Sequence, residues 1–422
     1  MLKRMASSAL ASDLCAFINA SPSPFHVVRE AVRRLESAGF QRVLESAPEW
    51  ALQPGKKYYL TRGQSAFVAF AVGEAYVPGN GYTITAAHSD SPCLRVKPIS
   101  KLVKGGYHSL GVETYGGGIW HTWFDRDLSV AGRVIVASGD GSYASRLVHI
   151  PKPILRVPSL AIHLDRTVND SFKVNTETQL PPILATVVRS ALEAPPKAAG
   201  GGGGGGSSDG AVPGTGGALD RHHAGLVSAL ATELGCPPEA LHDFELCLYD
   251  TQPSTLGGLH EEFVFSPRLD NLCMTHATLE GLIASCSTLS GEKNVRIMAS
   301  FNHEEVGSDS TPGAGSTLLG DLLARLCPGP PSLQSSAIRK SLLISADMAH
   351  ALHPNHAGLH EENHRPAMHA GLVIKTNSNQ RYATEASTAF FVRRVAEAAK
   401  VPLQDFCVRQ VRAYSFCAFF FC

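Results

Sequence analysis

The sequence predicts an α/β protein: a mostly parallel sheet covered by helices on both faces and interrupted by a β-rich insert. Three observations carry this. After Phe244, strand-like apolar runs (295–301, 341–345) alternate with helical patterns (271–285, 318–326, 384–399), an order that implies crossover connections and a parallel sheet. Between 94 and 163 the chain is rich in Val, Ile, Tyr and Gly, with apolar alternation as in Gly132-Arg-Val-Ile-Val-Ala and no long helical pattern. Finally, four segments bearing acidic or imidazole groups each end a strand-like run or open a helix. They therefore fall at the sheet's carboxyl edge, where ligand sites of open α/β sheets form.

The N-terminal elements follow from the same rules. Residues 24–40 place Val28, Ala31, Val32 and Leu35 at helical spacing, and Gly39 is positioned to close that helix. Runs 65–72 and 81–87 read as strands, separated by the turn signal Pro78-Gly79-Asn80-Gly81. Residues 195–218 form a Gly-rich, low-complexity segment that cannot bury apolar surface and is expected to be a disordered loop. Its glycine run from Gly200 to Gly206 lacks the G-K-[ST] ending of a phosphate loop.

At 422 residues and roughly 150 per domain, two or three domains are expected. Lys plus Arg balances Asp plus Glu at 37 each, which leaves no basic field for nucleic acid and no acidic tail for a charged partner. Ten cysteines without a C-x-x-C pair read as free thiols of a reducing compartment, so a cytoplasmic location is expected. Lys3 and Arg4 are not followed by the apolar block of a signal peptide, because Asp13 soon interrupts. No run approaches the roughly 20 apolar residues of a membrane span, so no membrane partner is expected.

The chemistry-bearing segments are Thr83-Ile-Thr-Ala-Ala-His88-Ser-Asp90, Ser266-Pro-Arg-Leu-Asp270-Asn271, Phe301-Asn-His303-Glu304-Glu305 and Leu342-Leu-Ile-Ser-Ala-Asp347-Met-Ala-His350. Singly, each has an ordinary explanation: His88 a structural histidine, Asp270 an N-cap, the glutamate pair a solvated turn. Four on one sheet edge fit a different chemistry. An oxygen-rich set with one His and a carboxylate able to bridge suits paired divalent metals about 3.5–4 Å apart, which activate a water and polarise a carbonyl. Glu304 would then serve as general base and later as general acid.

Longer segments extend the picture. His88-Ser-Asp-Ser-Pro-Cys-Leu-Arg-Val-Lys, Tyr115-Gly-Gly-Gly-Ile-Trp-His-Thr-Trp-Phe-Asp-Arg-Asp, Arg268-Leu-Asp-Asn, Glu304-Glu-Val-Gly-Ser, Ser345-Ala-Asp-Met-Ala-His-Ala and Glu361-Glu-Asn-His-Arg-Pro resemble the aspartyl aminopeptidase family of dinuclear zinc metallopeptidases. The resemblance implies metal ligands at His88, Asp270, Glu305 and Asp347, with Asp270 bridging two divalent ions, zinc by the family's habit. It implies Glu304 as the catalytic glutamate, Asp90 as the carboxylate following the ligand His, and substrate contacts at His163, His350, Lys375 and Tyr382. A cation such as Lys375 makes physical sense in a pocket for peptides with an N-terminal acidic residue. The implied architecture is a catalytic α/β/α sandwich over 1–96 and 245–422, interrupted by a β-rich dimerisation domain over 97–244. Members of the family assemble into homo-oligomers, commonly dodecamers.

Two features stand beside this reading. His360-Glu361-Glu362-Asn363-His364 matches H-E-x-x-H, the helical zinc signature of another peptidase class, but Pro354, Gly358 and Pro366 crowd it and no helical periodicity runs through it. The family pattern is followed through Val408, and no histidine occurs after His369, whereas family members place a further metal-ligating His near their C-terminus. The resemblance therefore implies a catalytic domain incomplete at its C-terminus, and a catalytically impaired structural subunit is the alternative to an active peptidase.

Overall fold

The computed structural model describes residues 2–189 and 217–409. The Gly-rich stretch expected to be a disordered loop lies almost wholly outside the described residues, as does the chain from Gln410 on. Two compact units are present, one built from Val28–Asp90 and the chain from Arg268, the other from the N-terminus to Val27 and Ser91–Pro267. The expected division at 97 and 244 differs from this at both ends. Residues beyond 244 stay with the β-rich unit because the strand Leu241–Asp250 pairs along its length with Leu128–Ala137.

The first unit is built on a six-stranded mixed sheet in the order Gln41–Arg42, Lys57–Arg62, Ala66–Val72, Val295–Phe301, Tyr82–His88, Leu342–Ser345. The last three strands run parallel to one another, as the alternating pattern predicts. Ala66–Val72 enters antiparallel to Val295–Phe301 and is buried at every residue, the mark of a strand covered on both faces. On one face Val68, Phe70, Ile84 and Ile297 pack against Leu318, Leu322 and Leu326 of the helix Leu318–Leu326. The alternate residues Phe67 and Ala69 are fully buried on the other face. Helix Leu269–Ser285 contacts Tyr82–His88 and Val295–Phe301 and is tied to helix Pro24–Ser37 by Arg34–Glu280 at 2.8 Å. The sheet is thus sandwiched, as expected.

Helix Pro24–Ser37 ends as the sequence indicates. Gly39 takes φ +80°, its N–H bonds Glu36 O at 2.9 Å, and Phe40 N–H bonds Leu35 O at 3.0 Å, a pair of bonds that closes the orphan carbonyls of the last turn. A separate parallel pair, Leu372–Thr376 and Leu403–Cys407, is connected by helix Ala386–Ala399, whose start is capped reciprocally by Glu385 and Thr388.

The second unit is an antiparallel sheet in the order Tyr143–His149, Leu128–Ala137, Leu241–Asp250, Cys93–Lys104, Tyr107–Tyr115, Ile183–Thr186. Helix Ala224–Leu234 lays Leu226, Val227, Leu230 and Ala231 against it, in a core with Val130, Val134 and Leu246. Gly132 is required there, because a Cβ would sit 1.9 Å from Glu245 O on the partner strand. No helix among the described residues is long and apolar enough to cross a membrane.

Two outcomes follow. Leu322 is almost fully buried in the core of the first unit, so Leu322→Ala is expected to cost about 2–5 kcal/mol in denaturant unfolding. In the second unit, burial and the Arg221 charge lower the His222 pKa from 6.5 to about 4, while its Nδ1 shares a 2.7 Å hydrogen bond with Ser100 Oγ. A depressed histidine stabilises fully above its unfolded pKa and loses that contribution as pH falls. Melting temperature should therefore drop between pH 6.5 and 4, by the equivalent of on the order of 3 kcal/mol for this group, and His222→Gln should flatten the slope.

Candidate metal centre

Parallel register assembles the centre. Phe301 lies opposite His88, and Ser345 opposite Ala86, so the three strands end nearly level and deliver residues 302–305 and 346–347 to one edge. Asp270 arrives from the start of helix Leu269–Ser285, where the N-cap position is Arg268 and no side chain caps the helix. The Asp270–Asn271 peptide bond is cis.

His88 is the hub. Its ring lies 3.0 Å from the Asp90 carbonyl through Nδ1. A carbonyl only accepts, so Nδ1 carries a proton, which leaves Nε2 as the nitrogen a metal would take in place of a second proton. Nε2 faces Asp270 Oδ1 at 3.4 Å, Asp347 Oδ1 at 3.6 Å and Glu304 Oε2 at 3.7 Å. Asp90 has no exposure and accepts the backbone N–H of Glu304 at 3.3 Å and of Glu305 at 3.1 Å, anchoring the glutamate turn to the His88 loop. His88 is 3% exposed, Glu304 19%, Asp347 27% and Asp270 59%, a gradient from a buried floor to an open mouth.

The charges are strained against one another. Burial, with repulsion from Asp270, Asp90 and Glu304, pushes the Glu305 carboxyl up to about 8 despite the opposing pull of His88. Glu304 is raised chiefly by burial and also by Asp347, Asp90 and Asp270. Burial would lower the His88 pKa, but the carboxylates of Asp270, Asp347 and Asp90 raise it well above its ordinary value. Asp347 moves the other way: burial opposes its ionisation, and His88 and Lys375 overcome that. A buried imidazole lone pair with converging carboxylates is a donor set in want of a cation. One nitrogen and two carboxylate oxygens, from His88, Asp270 and Glu305, lie within 4.8 Å of one another, so these three residues fit one metal ion.

The other expected site residues divide. Lys375 donates to Asp347 Oδ2 at 2.9 Å and to Met348 O at 2.6 Å, with its ammonium 5.5 Å from the centre of the Tyr382 ring. His350 packs edge-on against His360 at 5.3 Å and Phe406 at 5.0 Å, and burial followed by the His360 and Lys375 charges lowers its pKa. His163 belongs to the β-rich unit, exposed in a stretch without strand or helix. The helical-zinc interpretation of 360–364 is overturned. Pro354–Leu359 is a 3-10 turn, the pentapeptide that follows is bend and turn, and its two histidines face local partners: His360 Nε2 accepts from His353 N at 3.1 Å, and His364 pairs with Glu361. Sequence reasoning missed Asn271 and Thr275, both fully buried and hydrogen-bonded to Ala346 O and His88 O at 2.8 Å each. An Asn opening a helix and a Thr one turn on carry no signal of that kind.

A hydrolytic metal site with open access, set at the carboxyl edge of an α/β sheet, defines a metal-dependent hydrolase. The particular family is then plain. The profile described as Aminopeptidase I zinc metalloprotease (M18) matches residues 17–414, and the chain belongs to that family. It is 51% identical over 410 residues to a probable aspartyl aminopeptidase of Ricinus communis, covering 94% of this chain and 83% of that one. An aspartyl aminopeptidase of Dictyostelium discoideum is 48% identical over 411 residues, covering 94% and 84%. Among solved structures, one titled as the Ape4 and Nbr1 complex superposes with TM-score 0.90 at 43% identity, covering 98% of this chain and 77% of that chain. The mApe1 dodecamer of S. cerevisiae superposes at 0.77 and 25% identity, covering 94% and 84%.

Removal of the metal should expose the repulsion among the carboxylates. A strong chelator is expected to lower the melting temperature and added zinc to restore it, with apparent stability rising with the logarithm of free zinc. Differential scanning fluorimetry across a zinc titration checks this; an unchanged melting curve would contradict the donor set.

Proposed function

We propose that this chain releases N-terminal aspartate or glutamate from peptides, using two divalent metal ions held by His88, Asp270, Glu305 and Asp347 with Asp270 shared. The observation that carries the reading is the convergence of the His88 lone pair with the carboxylates of Asp270, Glu305 and Asp347. Bound metal would supply Lewis-acid polarisation of the scissile carbonyl and a more acidic water. The remaining work falls to the chain's own groups. Glu304, partly exposed and with a raised pKa, takes a proton from water and returns it to the departing amine. Asp90 holds His88 and the turn carrying Glu304 and Glu305.

Acidic specificity is assigned to Lys375. An ammonium has three N–H donors, and Asp347 and Met348 O take two of them, which leaves one for a substrate carboxylate. Tyr382, under the same ammonium, and His350 are proposed as further substrate contacts, together with His163 on family resemblance. We place the enzyme in the cytoplasm, where the cysteines of the described residues, all free, stay reduced. Assembly into dimer-based homo-oligomers, up to dodecamers, through the β-rich unit is supported by the dodecameric neighbour. Native mass spectrometry tests it; a monomer at micromolar concentration would refute it.

Activity is tested on Asp- and Ala-anilides with Zn²⁺, Co²⁺ or Mn²⁺ added. Asp-selective release is expected, and none under any metal would favour the structural-subunit alternative. Glu304→Gln should lower kcat by about 10²–10⁴ with metal content unchanged. Lys375→Met should lower kcat/KM for the Asp substrate by a factor of about ten or more beyond its effect on the Ala substrate. An equal loss on both would remove Lys375 from specificity.

A further inference from the structure

We propose that Asn271 and Thr275 are positioning residues that lock the spacing of the three ligand-bearing segments around His88, Asp270 and Asp347. Asn271 lies at the non-helical entry of helix Leu269–Ser285 (φ −121°, ψ 25°), directly after Asp270, and Thr275 follows in the first regular turn. Neither has any exposure. Asn271 Nδ2 donates to Ala346 O at 2.8 Å, one residue before Asp347. Ala346 is itself held to the next strand, its N–H bonding Ala86 O at 2.7 Å. Thr275 Oγ1 donates to His88 O at 2.8 Å. The entry and first turn of this helix thereby grip the backbone at or beside two of the proposed ligands and carry the third.

Two local comparisons separate this from ordinary satisfaction of buried polar groups. A helical threonine commonly turns its hydroxyl back on its own helix, and Thr278 does so, bonding Met274 O at 2.7 Å. Thr275 instead spends its hydroxyl across the strand end. Asn271 makes a single side-chain hydrogen bond, and its buried Oδ1 has no partner among the described residues. Keeping a half-satisfied amide in the interior costs stability that an apolar side chain of like shape would avoid. The bond to Ala346 O is what the amide provides. Ligand groups held loosely by even a fraction of an ångström bind metal poorly, and loss of such supporting bonds typically weakens metal affinity 10–100-fold.

The inference rests on the metal-centre reading proposed above, and the experiment separates the two. Zinc dissociation constants are measured by chelator competition on the full chain and on its Thr275→Val, Thr275→Ser and Asn271→Leu variants, with visible absorption of the Co²⁺-loaded proteins. Wild-type protein that binds no zinc would remove the metal-centre reading itself. If it binds, Thr275→Val and Asn271→Leu are expected to weaken zinc 10–100-fold and alter the Co²⁺ spectrum, while Thr275→Ser, which keeps the hydroxyl, stays within about threefold of wild type. Folded variants with wild-type zinc affinity would overturn the proposal. So would Thr275→Val failing to fold even in excess zinc while Thr275→Ser folds, because the hydroxyl would then be holding the fold rather than the centre.

Discussion

Parallel pairing of Val295–Phe301 with Tyr82–His88 is the constraint on which the centre depends. It sets Phe301 beside His88 and, with Leu342–Ser345 on the far side, brings three chain segments to one line. Side chains alternate along a strand, so a slip of one residue would turn His88 to the opposite face and carry its lone pair away from every carboxylate. The burial that enforces this register is ample: the neighbouring strand Ala66–Val72 is buried throughout, and Leu318, Leu322 and Leu326 seal one face.

Upon that frame the fold tolerates a local electrostatic conflict. Asp90, Asp270, Glu304, Glu305 and Asp347 crowd one imidazole, and Asp90 accepts backbone N–H groups of the turn it anchors. Asp347 is relieved by Lys375 and His88, and its carboxyl stays ionised, whereas Glu305 and Glu304 are driven toward protonation. The division is useful chemistry. On the proposed reading, a carboxylate that must stay charged and a glutamate that must exchange a proton need opposite environments, and the two sit on different strand ends.

Much of this was legible in the sequence because its signals are local. Strand 295–301 and helix 318–326 are observed as predicted, since a mostly apolar run and a strong helical period each decide their own conformation. The candidate segments stood out together because four acidic or imidazole groups at one sheet edge are harder to explain than any one of them. The edges of the β-rich unit are harder to read, since a strand's partner is not written in its own residues: Leu241–Asp250 reads alike whichever sheet it joins. Asn271 and Thr275 were silent for a related reason. Their importance lies in what faces them, and His88 is 187 positions from Thr275 in sequence.

That separation bears on how the protein comes into being. His88 and Asp90 leave the ribosome long before Asp270, and all of the β-rich unit's sheet is synthesised between them. Closing so long a loop adds little free energy, since the entropic penalty grows only with the logarithm of length, but it fixes a sequence in time. Until the chain has passed Asp347, the emerging protein holds a histidine and a buried aspartate that form no centre. On the proposed reading, the centre can close only late in synthesis, after the strands of the intervening sheet have emerged.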